Sequence, residues 1–492
     1  MDNAKLQEKL IEKKRFSKIF AIIVVCVLTT FAGFLCGLKI GTPENDYAHV
    51  TKVLNILENE WYSEIYYDSY KDAPIAQFIS SVANLDSKKQ LDPYTYIIKR
   101  QQTTSDPDSG KLGIRYTNLL NTNYQLILSV YPNSAADNAG VQMYDIVYGV
   151  KLEDGSFVTS NFEQYLSKNI GETLTLLIAR IDYQSNLTSY LEIPVTYQKY
   201  SYPSAYTYKS FDDELLYIKL TGFESDITGS NTIDEFRNIL STNKDKKYLV
   251  IDLINNGGGS IDSLTRICDL FLPAKKTIST LEIKDKSKTV YKTHDSTAYK
   301  FDDIYILMNE NTASASEMLI GCLDYHLDNV HIIGTNTFGK GIAQRTINLT
   351  KDYDFQYTFA KWYTPANEWI HTKGFAPSTS LDAISYTDNY KTFRGMSFDT
   401  LLDLSYDSVD EKNVKNIQVL LNDLYSLSLR EDGYFDMSTK LAIEKIQQEN
   451  NITVDGKINE QTLLLFAIEY AKEYYGVYNQ YISRIKLLMA GE

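Results

Sequence analysis

The sequence lacks the residue patterns that hold metal ions. It contains five histidines and four cysteines, with no CxxC or HExxH motif and no cluster of the two residue types. We therefore expect neither a metal nor an organic cofactor. Cys268 and Cys322 each lie in an apolar run typical of a buried helix, which predicts two free thiols. The net charge of −14 argues against nucleic-acid binding, which needs a basic surface.

One long uncharged run interrupts an otherwise soluble composition. Phe20–Leu38 has 19 residues without a charge, close to the ~20 that span a bilayer as a helix. Basic residues precede it: Lys5, Lys9, Lys13, Lys14, Arg15 and Lys18. The positive-inside rule then predicts a cytoplasmic segment 1–19, a transmembrane helix 20–38 and an extracytoplasmic remainder. A cleaved signal peptide is the alternative, but no convincing small-x-small cleavage site follows the run.

A chain of 492 residues is too long for one hydrophobic core, because cores stop growing near ~250–300 residues. The patterns predict an α/β multidomain protein. Its predicted units are an N-terminal helical segment, a β domain, an α/β core, a small helical domain and a C-terminal helix, over residues 45–105, 106–198, 199–388, 410–470 and 471–492. The Lys-, Ile-, Asn- and Tyr-rich composition is typical of an AT-rich bacterium. Together with the predicted transmembrane helix 20–38, it predicts a single-pass protein of the bacterial cell membrane.

Short strands separated by turns follow one another from Leu112 to Thr196. The segments KLGI (111–114) and SAADNAGVQMYDIV (134–147) resemble a PDZ domain. The resemblance implies that Leu112, Gly113 and Ile114 form a loop that binds a terminal carboxylate through backbone N–H groups. Ala135 and Tyr144 depart from the family pattern, which has Pro and Gly at these positions. A small β domain without a peptide-binding role is the alternative.

Strands and helices alternate from Leu215 to about residue 385, which predicts an α/β core with parallel strands. The apolar strand that ends at Asn309 leads through small residues into the helix of NTASASEMLIG (311–321). Ser314 is therefore expected at the carboxyl end of a strand and at a helix N-terminus, where reacting groups gather in open α/β sheets. The unpaired N–H groups of that helix start would stabilise an oxyanion.

A nucleophilic serine needs a base. The histidines are expected to be surface or structural residues: His49, His294, His326, His331 and His371. Lys340, in TFGKGIAQ (337–344), has a glycine on each side that lets the backbone approach closely. A lysine acts as a base only when neutral, so this one would have to be buried. A solvated loop lysine is the plain alternative.

SASE (314–317) together with TFGKGIAQ resembles the carboxy-terminal processing (tail-specific) peptidases, which are Ser/Lys enzymes with an inserted PDZ domain. The resemblance implies that Ser314 is the nucleophile, that Lys340 is the general base and that Gln344 orients the lysine. Ser316 is the rival nucleophile.

Two further motifs support the same resemblance. LVIDLINNGGG (249–259) resembles the family's DLRxNxGG run, which implies an oxyanion hole formed by the N–H groups of Gly258 and Ala315. Ile254 replaces the usual Arg and Gly257 the usual Pro, so we expect a more mobile loop. LDPYT (91–95) matches the family's LDPxS/T turn, without an assigned role.

The sequences DGYFDMST (432–439) and DGKINEQT (455–462) form an internal repeat, and a helix-like piece with Ile-Gln precedes each. This unit resembles the small helical peptidoglycan-binding domain, which implies a cell-wall partner. A purely structural helical cap is the alternative.

These resemblances predict a membrane-anchored serine endopeptidase that recognises exported proteins by their free or unfolded C-termini. By analogy with the family we also expect a homodimer. A catalytically inactive PDZ and wall-binding scaffold is the second hypothesis. An esterase or amidase of wall components is the third, and it would need no carboxylate-binding domain.

Overall fold

The computed structural model describes most of the chain beyond residue 45. Described are residues 46–62, 92–100, 109–119, 123–152, 154–158, 162–165, 167–182, 185, 187–207, 213–225, 231–294, 299–381, 401–402 and 404–491. The predicted segments 1–19 and 20–38 lie outside these residues. Among the described residues, no helix combines the length and the apolar character that crossing a bilayer requires.

Helices and strands occur in the described residues in the following order. The helices are α1 Asp46–Asn59, α2 Ala135–Asn138, α3 Thr232–Thr242, α4 Ile261–Cys268, α5 Ala315–His326, α6 Asn413–Tyr425, α7 Met437–Glu449 and α8 Glu460–Met489. The strands are β1 Tyr96–Lys99, β2 Ser109–Lys111, β3 Ile114–Asn118, β4 Gln125–Val130, β5 Ile146–Lys151, β6 Phe157–Val158, β7 Ser167–Asn169, β8 Thr173–Asp182, β9 Leu187–Thr196, β10 Ala205–Thr207, β11 Leu215–Leu220, β12 Tyr248–Asp252, β13 Thr277–Ile283, β14 Lys288–Lys292, β15 Asp303–Met308, β16 Val330–Gly334, β17 Ile342–Asn348, β18 Tyr353–Tyr363 and β19 Thr379–Ser380.

The α/β core contains a six-stranded sheet in the order β10-β11-β12-β15-β16-β19. Strands β11, β12, β15, β16 and β19 are parallel and β10 is antiparallel, which confirms the prediction of an α/β core. Successive side chains of a strand point to opposite faces. Accordingly, Leu216 and Ile218 of β11 pack with helices α3, α4 and α5. Leu215 and Tyr217 pack on the other face, with the end of α8.

A second, antiparallel sheet packs against the same helices. Its order is β1-β18-β13-β14, with β17 also paired to β18. Ala360 and Trp362 of β18 belong to the same buried cluster as Met318 and Leu323 of α5. Helix α5 therefore contacts both sheets.

The β domain (109–198) contains the antiparallel sheet β3-β4-β5-β8-β9, with β6 on β5, and the separate pair β2-β7. Its helix α2 forms within the predicted helix-like piece and is capped by Ser134, whose hydroxyl accepts from the Asp137 amide. The predicted strands and helix are therefore present. The assignment of this domain to the PDZ family stays a prediction.

The helical module (α6, α7 and the start of α8) repeats one hydrogen-bond arrangement. Gln418 accepts from the Gly433 amide at 3.0 Å and donates to Thr439 at 3.3 Å. In the second repeat, Gln447 accepts from the Gly456 amide at 2.9 Å and donates to the Thr462 hydroxyl at 3.0 Å. The internal repeat seen in the sequence is therefore a repeat of structure.

Helix α8 is continuous, so the predicted boundary between residues 470 and 471 falls inside it. Near its start, the Glu460 carbonyl accepts from the Tyr124 hydroxyl of the β domain at 2.9 Å. Near its end, Ile482 and Ile485 pack on the parallel sheet. This single helix therefore connects the helical module, the β domain and the α/β core.

Candidate active site

Ser314 immediately precedes α5, on the segment that leaves β15, as the sequence predicts. Its backbone has φ 60° and ψ −117°, a region that side-chain-bearing residues rarely occupy and that costs of order 1–3 kcal/mol. Such strain persists only where the surrounding contacts impose it. The side chain is half-buried, so its hydroxyl remains within reach of a reacting group.

A buried carboxylate joins the Ser314 segment to the Lys340 loop. Glu317 Oε2 accepts from the amides of Ser314 and Lys340, both at 2.8 Å. Its Oε1 accepts from the Gly339 amide at 2.7 Å and the Thr337 hydroxyl at 2.6 Å. Burial raises the pKa of Glu317, and these four donors oppose that by lowering it. One side chain therefore fixes both loops.

Glu317 has no role predicted from the sequence. The available signal was its position three residues after a serine that begins a helix, where a glutamate commonly accepts from the N-cap amide. That pattern predicts the contact with Ser314. It does not predict the contacts with residues 337–340, which lie in another part of the chain.

Lys340 is half-buried, and a general base needs enough burial to lose its proton. Burial lowers the pKa of Lys340, and the charge of Glu317 opposes this by raising it. The backbone of the loop is also fixed, because Trp362 Nε1 donates to the Lys340 carbonyl and Trp369 Nε1 to the Gly341 carbonyl, both at 2.7 Å. Lys340 Nζ lies 5.3 Å from the centroid of the Tyr94 ring.

The described hydrogen bonds include none between the Ser314 hydroxyl and the Lys340 amine. The structure therefore brings the two backbones together on Glu317, with the amine turned toward Tyr94. Gln344 follows on β17, beside an irregularity in its pairing with β18. Its buried Nε2 has no hydrogen-bond partner among the described residues. Its role in orienting Lys340 stays a prediction.

The glycine-rich loop contacts the nucleophile segment. A Cβ on Gly258, whose φ is 102°, would lie 2.8 Å from the Ala315 amide nitrogen and 2.9 Å from Ser314 Cβ. Only glycine allows this approach. Of the two predicted oxyanion donors, Ala315 provides the first amide of α5, which has no partner inside the helix. The Gly258 amide donates instead to Asn256 Oδ1 at 2.9 Å, so in this arrangement it is not free for an oxyanion.

Asn256 also explains why Ser316 is a poor nucleophile. The Ser316 side chain is fully buried and its hydroxyl donates to the Asn256 carbonyl at 3.0 Å. The same carbonyl accepts from the Ala313 amide at 3.0 Å. The Ser316 hydroxyl therefore links α5 to the glycine-rich loop through a hydrogen bond.

A buried ion pair supports the loop at the position where Ile254 replaces the family's Arg. Lys219 Nζ donates to Asp252 Oδ1 at 2.9 Å and to the Ile254 carbonyl at 2.7 Å. Tyr217 donates to Asp252 Oδ2 at 2.7 Å. Burial lowers the pKa of Lys219, against the charge of Asp252. Lys219 thus provides an amine that holds this loop, a contact that no motif of the sequence indicated.

Among the described histidines, His371 is the one beside the lysine loop. A Cβ on Gly341 would lie 2.6 Å from the His371 amide nitrogen, and the His371 ring stacks on Trp369. Burial lowers its pKa. His326 and His331 instead bond to the Thr277 carbonyl and to Asp303, in keeping with the expected structural roles.

The predicted carboxylate loop is tightly held inside the β domain. The carbonyls of Leu112 and Gly113 accept from the amides of Ala136 and Tyr131, at 2.9 and 3.0 Å. Gly113 has φ 76°, and a Cβ there would lie 2.1 Å from Ser134 Cβ. Leu112 and Ile114 are buried.

A tyrosine lies against this loop. Burial raises the pKa of the Tyr202 phenol, and the Gly113 amide at its hydroxyl opposes that by lowering it. The Tyr202 ring also packs on Tyr131, with 5.0 Å between the centroids. Tyr202 belongs to the connection between the β domain and the α/β core.

Two segments of the chain match the models of known domain families. Residues 214–381 match the model of peptidase family S41, and residues 410–465 match that of the putative peptidoglycan binding domain. The chain is 28% identical to a probable CtpA-like serine protease of Staphylococcus aureus strain MRSA252, over 95% of this chain and 91% of that protein. It is 26% identical to one of Staphylococcus saprophyticus, over 92% and 90%.

The fold also has a solved counterpart. A putative S41 protease from Bacteroides fragilis superposes with a TM-score of 0.51 at 19% identity, over 74% of this chain and 97% of that one. Residues 214–381 are therefore similar to the serine proteases of peptidase family S41, and residues 410–465 are similar to the putative peptidoglycan binding domain.

Proposed function

We propose that the chain is an endopeptidase of the carboxy-terminal processing type, with Ser314 as nucleophile and Lys340 as general base. The observation that carries this proposal is the hydrogen bonding of Glu317, which accepts from the amides of both residues at 2.8 Å. The partial burial of Lys340 supports it, because burial favours the neutral form that can accept a proton.

In the proposed reaction, neutral Lys340 takes the proton of the Ser314 hydroxyl as its oxygen attacks a substrate carbonyl carbon. The Ala315 amide donates to the resulting oxyanion. The protonated lysine then gives its proton to the leaving amine as the peptide bond breaks. Water, deprotonated by Lys340, hydrolyses the acyl-enzyme and restores the Ser314 hydroxyl.

The reaction requires a change at the lysine side chain. Its amine would turn from the Tyr94 ring toward Ser314, while its backbone stays fixed by Glu317 and Trp362. The Gly258 amide would serve as a second oxyanion donor only after it leaves Asn256. Gln344 would orient the turned amine through its side-chain oxygen.

The β domain would bind the C-terminus of the substrate through the loop Leu112–Ile114. Two observations support this role. The loop carbonyls are bonded within the domain, and the positive φ of Gly113 favours the concave arrangement of N–H groups that captures a carboxylate. The Tyr202 hydroxyl at the Gly113 amide would have to give way to the ligand.

A peptide substrate with a free C-terminus is expected to have a KM at least about tenfold lower than its amidated form, since hydrogen bonds to a charged group contribute ~1.5–3 kcal/mol. Tyr202→Phe is expected to lower the KM of the free acid by about 2- to 10-fold, because it removes a hydroxyl that competes with the ligand for the Gly113 amide. Steady-state hydrolysis by the full-length protein measures both effects.

Tyr200→Phe is the matched control, because Tyr200 donates to the Pro132 carbonyl at 2.9 Å and not to the loop. It should leave the ratio between acid and amide unchanged. Equal KM values for the two peptides in the unaltered protein would reject C-terminal recognition. They would instead favour a hydrolase that needs no carboxylate site.

The predicted segment 20–38 would anchor the enzyme in the bacterial membrane, and the helical module would hold it at the cell wall. The match of residues 410–465 to the putative peptidoglycan binding domain supports the second point. The full-length protein is expected to co-sediment with purified peptidoglycan and not with cellulose. Equal retention on both polymers would reject the wall-binding role.

A further inference from the structure

The turn at Asp92–Thr95, within the LDPYT motif, has a well-defined structure for which the reaction above provides no use. Asp92 is fully buried. Its Oδ2 accepts from Trp61 Nε1 at 2.9 Å and from the Thr95 hydroxyl at 2.6 Å. Its Oδ1 accepts from the Tyr94 amide at 2.9 Å. The carboxylate therefore fixes the backbone that carries the Tyr94 ring.

The same turn is attached to the sheet that carries the lysine loop. The Thr358 amide of β18 donates to the Thr95 hydroxyl at 3.0 Å, and Gln356 Nε2 donates to the Tyr94 carbonyl at 3.4 Å. Strand β18 pairs with β17, which begins at Ile342, just after Lys340. The position of the Tyr94 ring relative to Lys340 is thus set by rigid elements on both sides.

The half-buried Tyr94 ring has Lys340 Nζ 5.3 Å from its centroid. An aromatic ring at this distance acts on an amine in two opposite ways. Its face attracts an ammonium ion, which favours the charged form. Its bulk excludes water, which favours the neutral form, and burial can lower a lysine pKa by up to ~3–5 units. The second effect is the larger where water is shut out.

We propose that Tyr94 is a positioning residue of the active site, whose ring forms the wall that keeps water from the Lys340 amine. This inference rests on the proposed role of Lys340. It gives the Asp92 turn a function, namely to hold that wall in place while the lysine turns between Tyr94 and Ser314. It also accounts for the attachment of the turn to β18.

Other ionisable groups around Lys340 also affect its pKa or the pKa values of its neighbours. Glu317 is the charge that raises the pKa of Lys340. Asp92 and Glu317 both act on Tyr94, while Asp92 and Lys361 act on His371 beside the loop. A Tyr94 variant leaves all of these groups in place. A change in the pKa of Lys340 would therefore reflect the loss of the Tyr94 ring.

The test compares pH profiles of kcat/KM for the full-length protein and its Tyr94→Ala and Tyr94→Phe variants. The acidic limb follows deprotonation of the base. Admitting water raises the pKa of Lys340, so in Tyr94→Ala this limb is expected to move to higher pH by about one unit or more. Tyr94→Phe retains an aromatic ring, so the acidic limb of its pH profile should stay at the same pH. Phe157→Ala is the matched control, because that ring lies 5.7 Å from Lys151 Nζ, on the edge of the β domain.

A second measurement does not depend on activity. In a Ser314→Ala background, peptide mass spectrometry follows the rate at which acetic anhydride acetylates Lys340 as a function of pH. Adding Tyr94→Ala is expected to move this pH dependence to higher pH by the same amount as the limb. If that variant does not fold by circular dichroism, Tyr94→Gln replaces it, since a polar side chain also admits water.

Tyr94→Ala could lose the same fraction of activity at every pH while the pH dependence of Lys340 acetylation stays unchanged. That result would show a merely structural role and overturn the proposal. A limb that moves to lower pH would also overturn it, because the ring would then act chiefly by attracting the ammonium ion. A Lys340→Met variant with undiminished activity would reject the proposed mechanism instead. The acetylation profile would still decide whether Tyr94 shields the amine.

Discussion

A Ser314→Ala variant is expected to cleave an unfolded protein roughly 10⁴- to 10⁶-fold more slowly than the unaltered enzyme, as measured by kcat/KM. The hydroxyl supplies the oxygen that forms the acyl-enzyme, and the rival Ser316 hydroxyl is buried and bonded to Asn256. The fold should be unaffected, because Ser314 bonds to Glu317 through its backbone amide. Lys340→Met is expected to cause a loss of the same order, since it removes the basic amine and keeps an unbranched side chain of nearly the same length.

Ser316→Ala is the matched control for this prediction. It removes one buried hydrogen bond, which contributes ~1 kcal/mol to stability, and should leave activity within a few-fold. A fluorophosphonate probe is expected to label Ser314 and not Ser316. Retention of more than a tenth of the activity in Ser314→Ala would reject this residue as the nucleophile. Absence of labelling together with absence of hydrolysis would favour the inactive scaffold.

Much of the architecture could be predicted from the sequence because it depends on local patterns. The apolar run of β15 and the small residues after it place Ser314 before a helix, since a buried parallel strand and a helix start each have a local signature. The repeat of Gln, Gly and Thr in the helical module was also visible. Its hydrogen bonds join residues that are close in the chain.

The features that were missed join distant parts of the chain. Glu317 was noted only as a letter of a motif, although it bonds to the loop of Lys340. The packing of Tyr94 on that lysine depends on how β1 pairs with β18, which no local pattern specifies. The occupation of the Gly258 amide by Asn256 depends on side-chain conformation within a loop. Family resemblance identifies residue types and does not determine such conformations.

Helix α8 shows a further limit. A strongly amphipathic tail predicts that one face is covered, but not by what. In the structure, Ile482 and Ile485 cover the outer face of the parallel sheet. A sequence resemblance that ends near residue 470 divides this helix between two units, whereas its packing makes the last turns part of the α/β core.

A Glu317→Gln variant is expected to lose at least about 100-fold in kcat/KM, because displacements near 1 Å at reacting groups cost that much. It should also lose roughly 2–5 kcal/mol in the free energy of unfolding. The carboxylate accepts four hydrogen bonds, three of them from the amides of Ser314, Gly339 and Lys340. An amide group offers one oxygen, and its NH₂ would face an N–H donor. Neither loop would then keep its place.

Glu310→Gln is the matched control, since Glu310 is an exposed residue nearby whose carboxylate accepts, within the described part of the chain, only from Thr335, at 3.3 Å. It should change neither activity nor stability appreciably. Urea unfolding and peptide hydrolysis measure the two effects. A Glu317→Gln variant with full activity would show that the nucleophile and the base do not depend on this carboxylate for their positions, and the observation that carries the proposed function would then lose its force.

The pH dependence of stability provides an independent check on the same group. Burial raises the pKa of Glu317 above its ordinary value of 4.5, so the folded protein retains this proton at pH values where the unfolded chain has lost it. The contribution of the group to stability is therefore complete below pH 4.5 and decreases as pH rises through the folded value. Glu317→Gln cannot titrate, so its stability should lack that decrease. The stability difference between the two proteins is then largest at low pH and becomes smaller as pH rises, and a difference that grew with pH would mean that the four donors outweigh burial.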